Sequence, residues 1–157
     1  MELNELIPAF AAKLEIVGLE ARNGACALEI DGIPLEIVET AGGKALVTSA
    51  IIGRPPLDRP DAFLKLLLEA NTETLGPQGA AFGMLPDTGE VILQWRITTR
   101  DLELDVFCAE LETFVNQVEQ WRLALENFRP AAEEAASREE EAPIPIMGLG
   151  ASGFISV

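Results

Sequence analysis

The segment Asp101–Phe128, DLELDVFCAELETFVNQVEQWRLALENF, decides the fold. Its large apolar residues Leu104, Phe107, Leu111, Phe114, Val118, Trp121, Leu125 and Phe128 recur in alternating steps of three and four. That spacing lays them along one stripe of an α-helix. Glu103, Glu110, Glu112, Gln117, Glu119 and Arg122 fall on the opposite side. At 1.5 Å per residue the helix is roughly 40 Å long. A helix of that length in a small domain is expected to lie across a sheet or along a partner chain, with Asp101 as its cap.

Upstream of it, Val91, Leu93, Trp95 and Ile97 alternate with Ile92, Gln94, Arg96 and Thr98. This period of two predicts a strand over Glu90–Thr98, joined to Ala81–Leu85 through Pro86-Asp87-Thr88-Gly89 as a hairpin. Before the hairpin, Asp58-Arg59-Pro60-Asp61 reads as a helix start. The helix over Arg59–Thr72 carries Phe63, Leu64, Leu66, Leu67, Leu68 and Ala70. Its apolar arc is wider than one core contact needs, which predicts burial from two directions. Further back, Cys26, Leu28 and Ile30, then Ile33, Leu35 and Ile37, alternate around Asp31-Gly32, a strong tight-turn pair. Lys44–Ile52 supplies a third strand, and Pro34 implies an unpaired donor position near the start of the second. Glu2–Val17 reads as an opening amphipathic helix on Leu3, Leu6, Ile7, Phe10, Leu14 and Val17, with Asn4 as a cap. The order α-βββ-α-ββ-α predicts an α+β sandwich, helices packed on a twisted antiparallel sheet.

The chain has 157 residues, 48% of them hydrophobic, with 26 acids against 11 bases and a formal charge of −15. A surface so negative repels phosphate backbones and anionic lipid, and favours a basic or amphipathic protein partner. Nucleic acid is therefore not expected as a partner, and membrane insertion is not expected because no apolar run reaches the ~18–20 residues that span a bilayer. No signal-peptide pattern opens the chain, so the expected location is cytoplasmic. Cys26 and Cys108 are far apart and read as buried free thiols of a reducing compartment.

Histidine and tyrosine are absent, which removes the commonest general base and zinc ligand. Asp101, Glu103 and Asp105 sit where acids offset a helix dipole, so they do not argue for a metal. Gly76–Gly83 lacks a phosphate-cradle pattern. Cys108 has no base to make it a nucleophile. Trp95 and Trp121 read as core, or as anchors for a bound chain if exposed. No enzyme activity, cofactor, metal or small-molecule substrate is expected.

Phe63-Leu64-Lys65-Leu66-Leu67-Leu68-Glu69-Ala70-Asn71 closes leucine-rich turns with an Ala-Asn pair. With the hairpin Ala81-Phe82-Gly83-Met84-Leu85 through Glu90–Trp95, and a last helix holding Phe114-Val115 and Trp121, the chain resembles the Tir chaperone (CesT-like) family, the class I chaperones of type III secretion. The resemblance covers roughly Leu3–Phe128. It implies a homodimer that binds the extended N-terminal segment of a secreted effector, keeping it soluble without nucleotide. It places Phe63, Leu66, Leu67 and Met84 at the dimer interface. It places Leu3, Ile7, Leu28, Leu35 and Ile37 against the effector. The competing reading is a dimeric regulatory or sensory domain of similar fold without secreted cargo.

The chain thus divides into a chaperone-like domain over 1–129 and a tail over 130–157. The tail is acidic through Glu139-Glu140-Glu141, then apolar over Ile144, Ile146, Met147, Leu149, Phe154, Ile155 and Val157. This extension departs from the family pattern. It reads either as a disordered end or as an extended segment that docks in a hydrophobic groove, its own or a neighbour's, and in the second case it imitates cargo and fills the groove. Deleting Glu133–Val157 is then expected to tighten cargo binding in calorimetry, and unchanged affinity counts against the imitation.

Overall fold

A computed structural model describes residues 2–40, 42–76 and 79–128. The tail over 130–157, with the reading attached to it, lies outside the described residues. The elements are α1 (Leu3–Lys13), β1 (Ala25–Ile30), β2 (Ile33–Glu39), β3 (Ala45–Gly53), α2 (Pro60–Ala70), a π-turn (Asn71–Leu75), β4 (Ala80–Met84), β5 (Val91–Thr98) and α3 (Leu104–Glu126). The strands form one antiparallel sheet in the order β1-β2-β3-β5-β4. The predicted α+β order and its sheet are therefore present.

Asp31 and Gly32 both take positive φ, 50° and 77°. That is the two-residue turn whose twist matches a hairpin, and it sets the register Ile30↔Ile33 through Ala25↔Val38. One face of the sheet is covered. Ile33, Leu35 and Ile37 of β2, Leu46, Ala50 and Ile52 of β3, and Val91, Leu93, Trp95 and Ile97 of β5 are all buried there. Their alternates Glu36, Gln94 and Arg96 face water.

The cover is α3, with α1 beside it. Phe107, Leu111, Phe114, Val115 and Val118 are buried, and Leu104, Trp121, Leu125 and Phe128 pack against the same core. Four aromatic residues seven apart each meet a different element edge-on. Phe107 meets Phe10 of α1 at 5.6 Å, and Phe114 meets Trp95 of β5 at 6.2 Å. Trp121 meets Phe82 of β4 at 4.7 Å, and Phe128 meets Phe63 of α2 at 5.2 Å. Trp95 also donates its indole N–H to Glu110 at 3.1 Å. Near its end α3 comes so close to β3 that a Cβ on Gly53 (φ 147°) would lie 2.6 Å from Leu125.

Pro34 leaves its mark on the sheet. Pairing of β2 with β3 begins only at Glu36↔Ser49. Pro34 brings no N–H, and the Ile51 carbonyl instead accepts two bonds from the Arg122 guanidinium, at 3.0 and 2.7 Å.

Several expected boundaries move. The first helix ends at Lys13, not Val17. Glu15 turns to φ 55°, so Leu14 and Val17 leave the core stripe and stand exposed. Its N-cap is Glu2, whose N–H reaches Glu5, and Pro8 lies inside the helix without ending it. Four fully or nearly buried side chains, Leu3, Leu6, Ile7 and Phe10, hold that helix in place despite the bond Pro8 cannot make. The second helix is capped at Arg59, not Asp58, and α3 at Glu103, because Asp101 sits at φ 55°. Cys26 is buried, but Cys108 is only half-buried, and both thiols are free.

Asn71 is the hinge of the α2–β4 side. Its side-chain oxygen accepts the Phe82 N–H at 2.6 Å, and its amide donates to the Phe82 carbonyl at 3.3 Å. It stands where a neighbouring strand would. Replacing Asn71 with Ala strips both partners from a half-buried backbone unit, a loss of about 1–3 kcal/mol. Thermal unfolding of Asn71→Ala is therefore expected to fall by several degrees. An unchanged midpoint would show that the clamp contributes nothing.

Candidate functional site

The two edges of the sheet differ. On β4 the Phe82 backbone is taken by Asn71. On β1 the pairing with β2 fixes which groups face out. The tight turn makes Ile30↔Ile33 a hydrogen-bonded pair, and in an antiparallel ladder such pairs alternate with unbonded ones. Ala25, Ala27 and Glu29 therefore aim their N–H and C=O groups away from β2. Ala25 spends its pair on Arg22, at 2.8 and 3.0 Å across a turn with Asn23 and Gly24 at positive φ. Ala27 and Glu29 have no backbone partner among the described residues; only the Cys26 thiol approaches the Ala27 carbonyl, at 4.0 Å. Two residues of open ladder remain.

An apolar hollow of about 290 Å³ lies at the tip of the β1–β2 hairpin. It is lined by Phe10 and Leu14 of α1, by Ile30, and by Cys108, Leu111 and Val115 of α3. Asp31, Glu112 and Asn116 form its polar margin. Leu14 is 51% exposed, and Ile16 and Val17 continue the apolar surface beyond the end of α1. Lys13, next to Leu14, is ion-paired with Asp105. The hydrogen bond from Lys13 holds the Asp105 carboxyl below the usual carboxylate range and raises the Lys13 ammonium. This pairing neutralises the cation, so Asp31 and Glu112 leave the margin acidic. Burial pushes the Cys26 thiol up, away from a reactive thiolate.

A second apolar surface lies on α2 and beside it. Leu57, Leu68 and Met84 are exposed, and Leu64 and Leu66 are half-buried.

The residues singled out in the sequence divide between core and surface. Of those set against the effector, Leu3, Ile7, Leu35 and Ile37 are buried in the protomer's own core, and Leu28 is half-exposed beside the open edge. Of those set at the dimer interface, Phe63 and Leu67 are core, Leu66 is half-buried and Met84 is exposed. Ala27 and Glu29 escaped notice because one is small and the other charged, and no local pattern says which strand ends a sheet. Leu14 and Val17, on the predicted apolar stripe of the first helix, stand exposed, and Gly18 one residue past Val17 is the local sign that the helix is finishing. Among the described residues no three or more His, Cys, Asp or Glu gather as a metal site, and no helix is long and apolar enough to cross a membrane.

The edge geometry gives a direct test. Proline at residue 27 keeps the extended backbone but deletes the outward N–H, which has no partner within the chain. Ala27→Pro is expected to unfold within about 1 kcal/mol of the parent. It is expected to weaken any strand-pairing guest about tenfold, the worth of one backbone hydrogen bond. Equal affinity in calorimetry would remove the edge from the site.

Residues 5–122 match the Tir chaperone protein (CesT) family. The fold is shared with the ExsC–ExsE complex, at a TM-score of 0.67 and 23% identity, covering 80% of this chain and 97% of that one. It is shared with the HopA1–SchA chaperone–effector complex, at 0.65 and 21%, covering 76% and 92%. The Yersinia pestis type III secretion chaperone SycH, in complex with a stable fragment of YscM2, gives 0.59 and 18%, covering 75% and 98%. No curated protein matches the sequence.

Proposed function

Because this chain belongs to the Tir chaperone protein (CesT) family, a family of non-catalytic binding proteins, we propose that it is a cytoplasmic type III secretion chaperone. It dimerises and holds the extended N-terminal segment of a secreted effector soluble. The observation that carries this reading is the open Ala27–Glu29 edge beside an apolar, acid-margined hollow. A chain held extended cannot bury its own apolar groups or pair its own backbone. The edge offers backbone partners to many sequences, and the hollow takes one or two apolar side chains. The acidic margin favours a guest rich in Lys and Arg. The proteins in the HopA1–SchA and SycH–YscM2 complexes are consistent with this role by fold.

The reading keeps Leu28 at the guest surface and adds Leu14, Ile16 and Val17. Leu3, Ile7, Leu35 and Ile37 act from beneath, as the core that fixes the hollow. The dimer forms through α2 and β4, with Leu64, Leu66, Leu68 and Met84 meeting their copies around Phe63 and Leu67. Leu57 extends the same apolar surface.

Two measurements test this. Co-purification from the source organism, followed by limited proteolysis, is expected to recover a basic N-terminal segment of a secreted protein, on the order of 50–100 residues. Recovery of the chain without a guest, encoded away from any secretion apparatus, would instead favour the regulatory reading. Leu68 is 67% exposed in the protomer, so Leu68→Asp is expected to fold normally and weaken self-association at least about tenfold in sedimentation. A parent chain that sediments as a monomer, or a variant as dimeric as the parent, would exclude α2 from the interface.

A further inference from the structure

Three of the chain's eleven Lys and Arg residues gather at one place. Lys44, Arg96 and Arg100 line one open hollow of about 440 Å³ together with Gly43, Thr98 and Thr99. All three are exposed, and none has an ion pair among the described residues. Among the described residues no acid lines this hollow. Asp101 and Glu110 line the adjoining one, which Arg96 and Arg100 also border without pairing to either acid, and there Glu110 already accepts the Trp95 indole. Arg96 and Thr98 belong to the uncovered face of the sheet, since Trp95 and Ile97 on either side of Arg96 are buried beneath α3. Three unpaired cations converging on one face of a chain carrying −15 call for an anionic occupant. The net charge disfavours a nucleic acid.

The chain carries such an occupant. We propose that Glu139-Glu140-Glu141 docks on Lys44, Arg96 and Arg100, folding the acidic part of the tail over the uncovered face of the sheet. The charges are complementary, three carboxylates for three cations. The reach also fits. Phe128 lies on Phe63 and Leu125 on Gly53, so the tail starts near the C-terminal end of β3. Lys44 precedes the N-terminal end of that strand, about 30 Å away at 3.3 Å per residue. Glu139 is eleven residues past Phe128, and an extended chain covers about 36 Å over that number. Glu133 and Glu134 are too near Phe128 to arrive. Exposed pairs are weak one by one. Tethering supplies the carboxylates at an effective concentration in the millimolar range. This inference does not depend on the secretion reading.

The test compares the ¹⁵N-labelled full chain with Glu139→Gln/Glu140→Gln/Glu141→Gln by NMR, following the Nε–H signals of Arg96 and Arg100 and the amides of Lys44 and Thr99. These signals are expected to move between the two proteins, independently of protein concentration. The difference is expected to vanish in 1 M NaCl, where the screening length is about 3 Å. A free poly-glutamate peptide is expected to reach the hollow at about tenfold lower concentration in the glutamine variant than in the parent. Coincident spectra would overturn the proposal. So would a difference that grows with protein concentration, which assigns the hollow to a second copy's tail. Equal peptide affinity for both proteins would mark a vacant surface for a foreign acidic segment, and would overturn it too.

Discussion

Everything in this molecule is hung on one face of α3. A five-stranded antiparallel sheet with one wet face must bury the other, and a single helix seam does most of it. The four edge-on aromatic contacts at Phe107, Phe114, Trp121 and Phe128 are two helical turns apart, about 10.5 Å. Each fixes a different element: α1, β5, β4 and α2. Such contacts contribute about 0.5–1.5 kcal/mol each beyond the area they bury, but their larger effect is geometric. The Phe107–Phe10 contact holds α1 in place, and Phe10 is one wall of the hollow. The contacts also hold α2 by its Phe63 side and leave Leu68 facing outward. Both proposed interaction surfaces are by-products of how one helix is pinned.

An exposed strand edge is a hazard that most folds close. Here Asn71 takes the middle of one edge, at Phe82, and the other is left open over Ala27 and Glu29. Charge explains how the opening is tolerated. Glu29 stands on the open strand, and Asp31 and Glu112 flank the adjoining hollow. Two copies brought edge to edge would set acid against acid and desolvate both. A guest carrying Lys or Arg meets the reverse condition. The same carboxylates thus discourage self-pairing and favour a basic guest, with no separate device needed for each.

How much of this could be read from the sequence follows from the range of each signal. The α3 seam, the Asp31-Gly32 hairpin and the alternation in β5 depend on residues a few positions apart, and they stand as read. Helix ends depend on single φ values, such as Glu15 and Asp101 at 55°, which composition does not announce. Leu3, Ile7, Leu35 and Ile37 were apolar on the right faces, but pattern cannot distinguish a residue covered by its own chain from one covered by a guest. The open edge was the least legible feature. It exists only because β1 ends the order β1-β2-β3-β5-β4, a fact about strands separated by up to 60 residues of chain, 31–90 between β1 and β5.

The sheet order also separates the two surfaces. β1 and β4 are opposite edges, four strand spacings apart, about 19 Å at 4.8 Å each. A dimer built on α2 and β4 therefore covers the edge that Asn71 already occupies and leaves both β1 edges free, on the far sides of the assembly. In such a dimer the two open edges are about 40 Å apart at least, counting only the two sheets. A guest using both must bridge that span with more than about 12 extended residues, before any that pair. A short peptide reaches one edge; a long unfolded segment reaches two, and its second contact is intramolecular, strengthened by effective concentration and not by new chemistry. Weak sites of two residues of ladder and one small hollow then suffice, because the dimer presents them twice. A dimer with two modest sites holds a long, unstructured guest firmly and a folded one hardly at all.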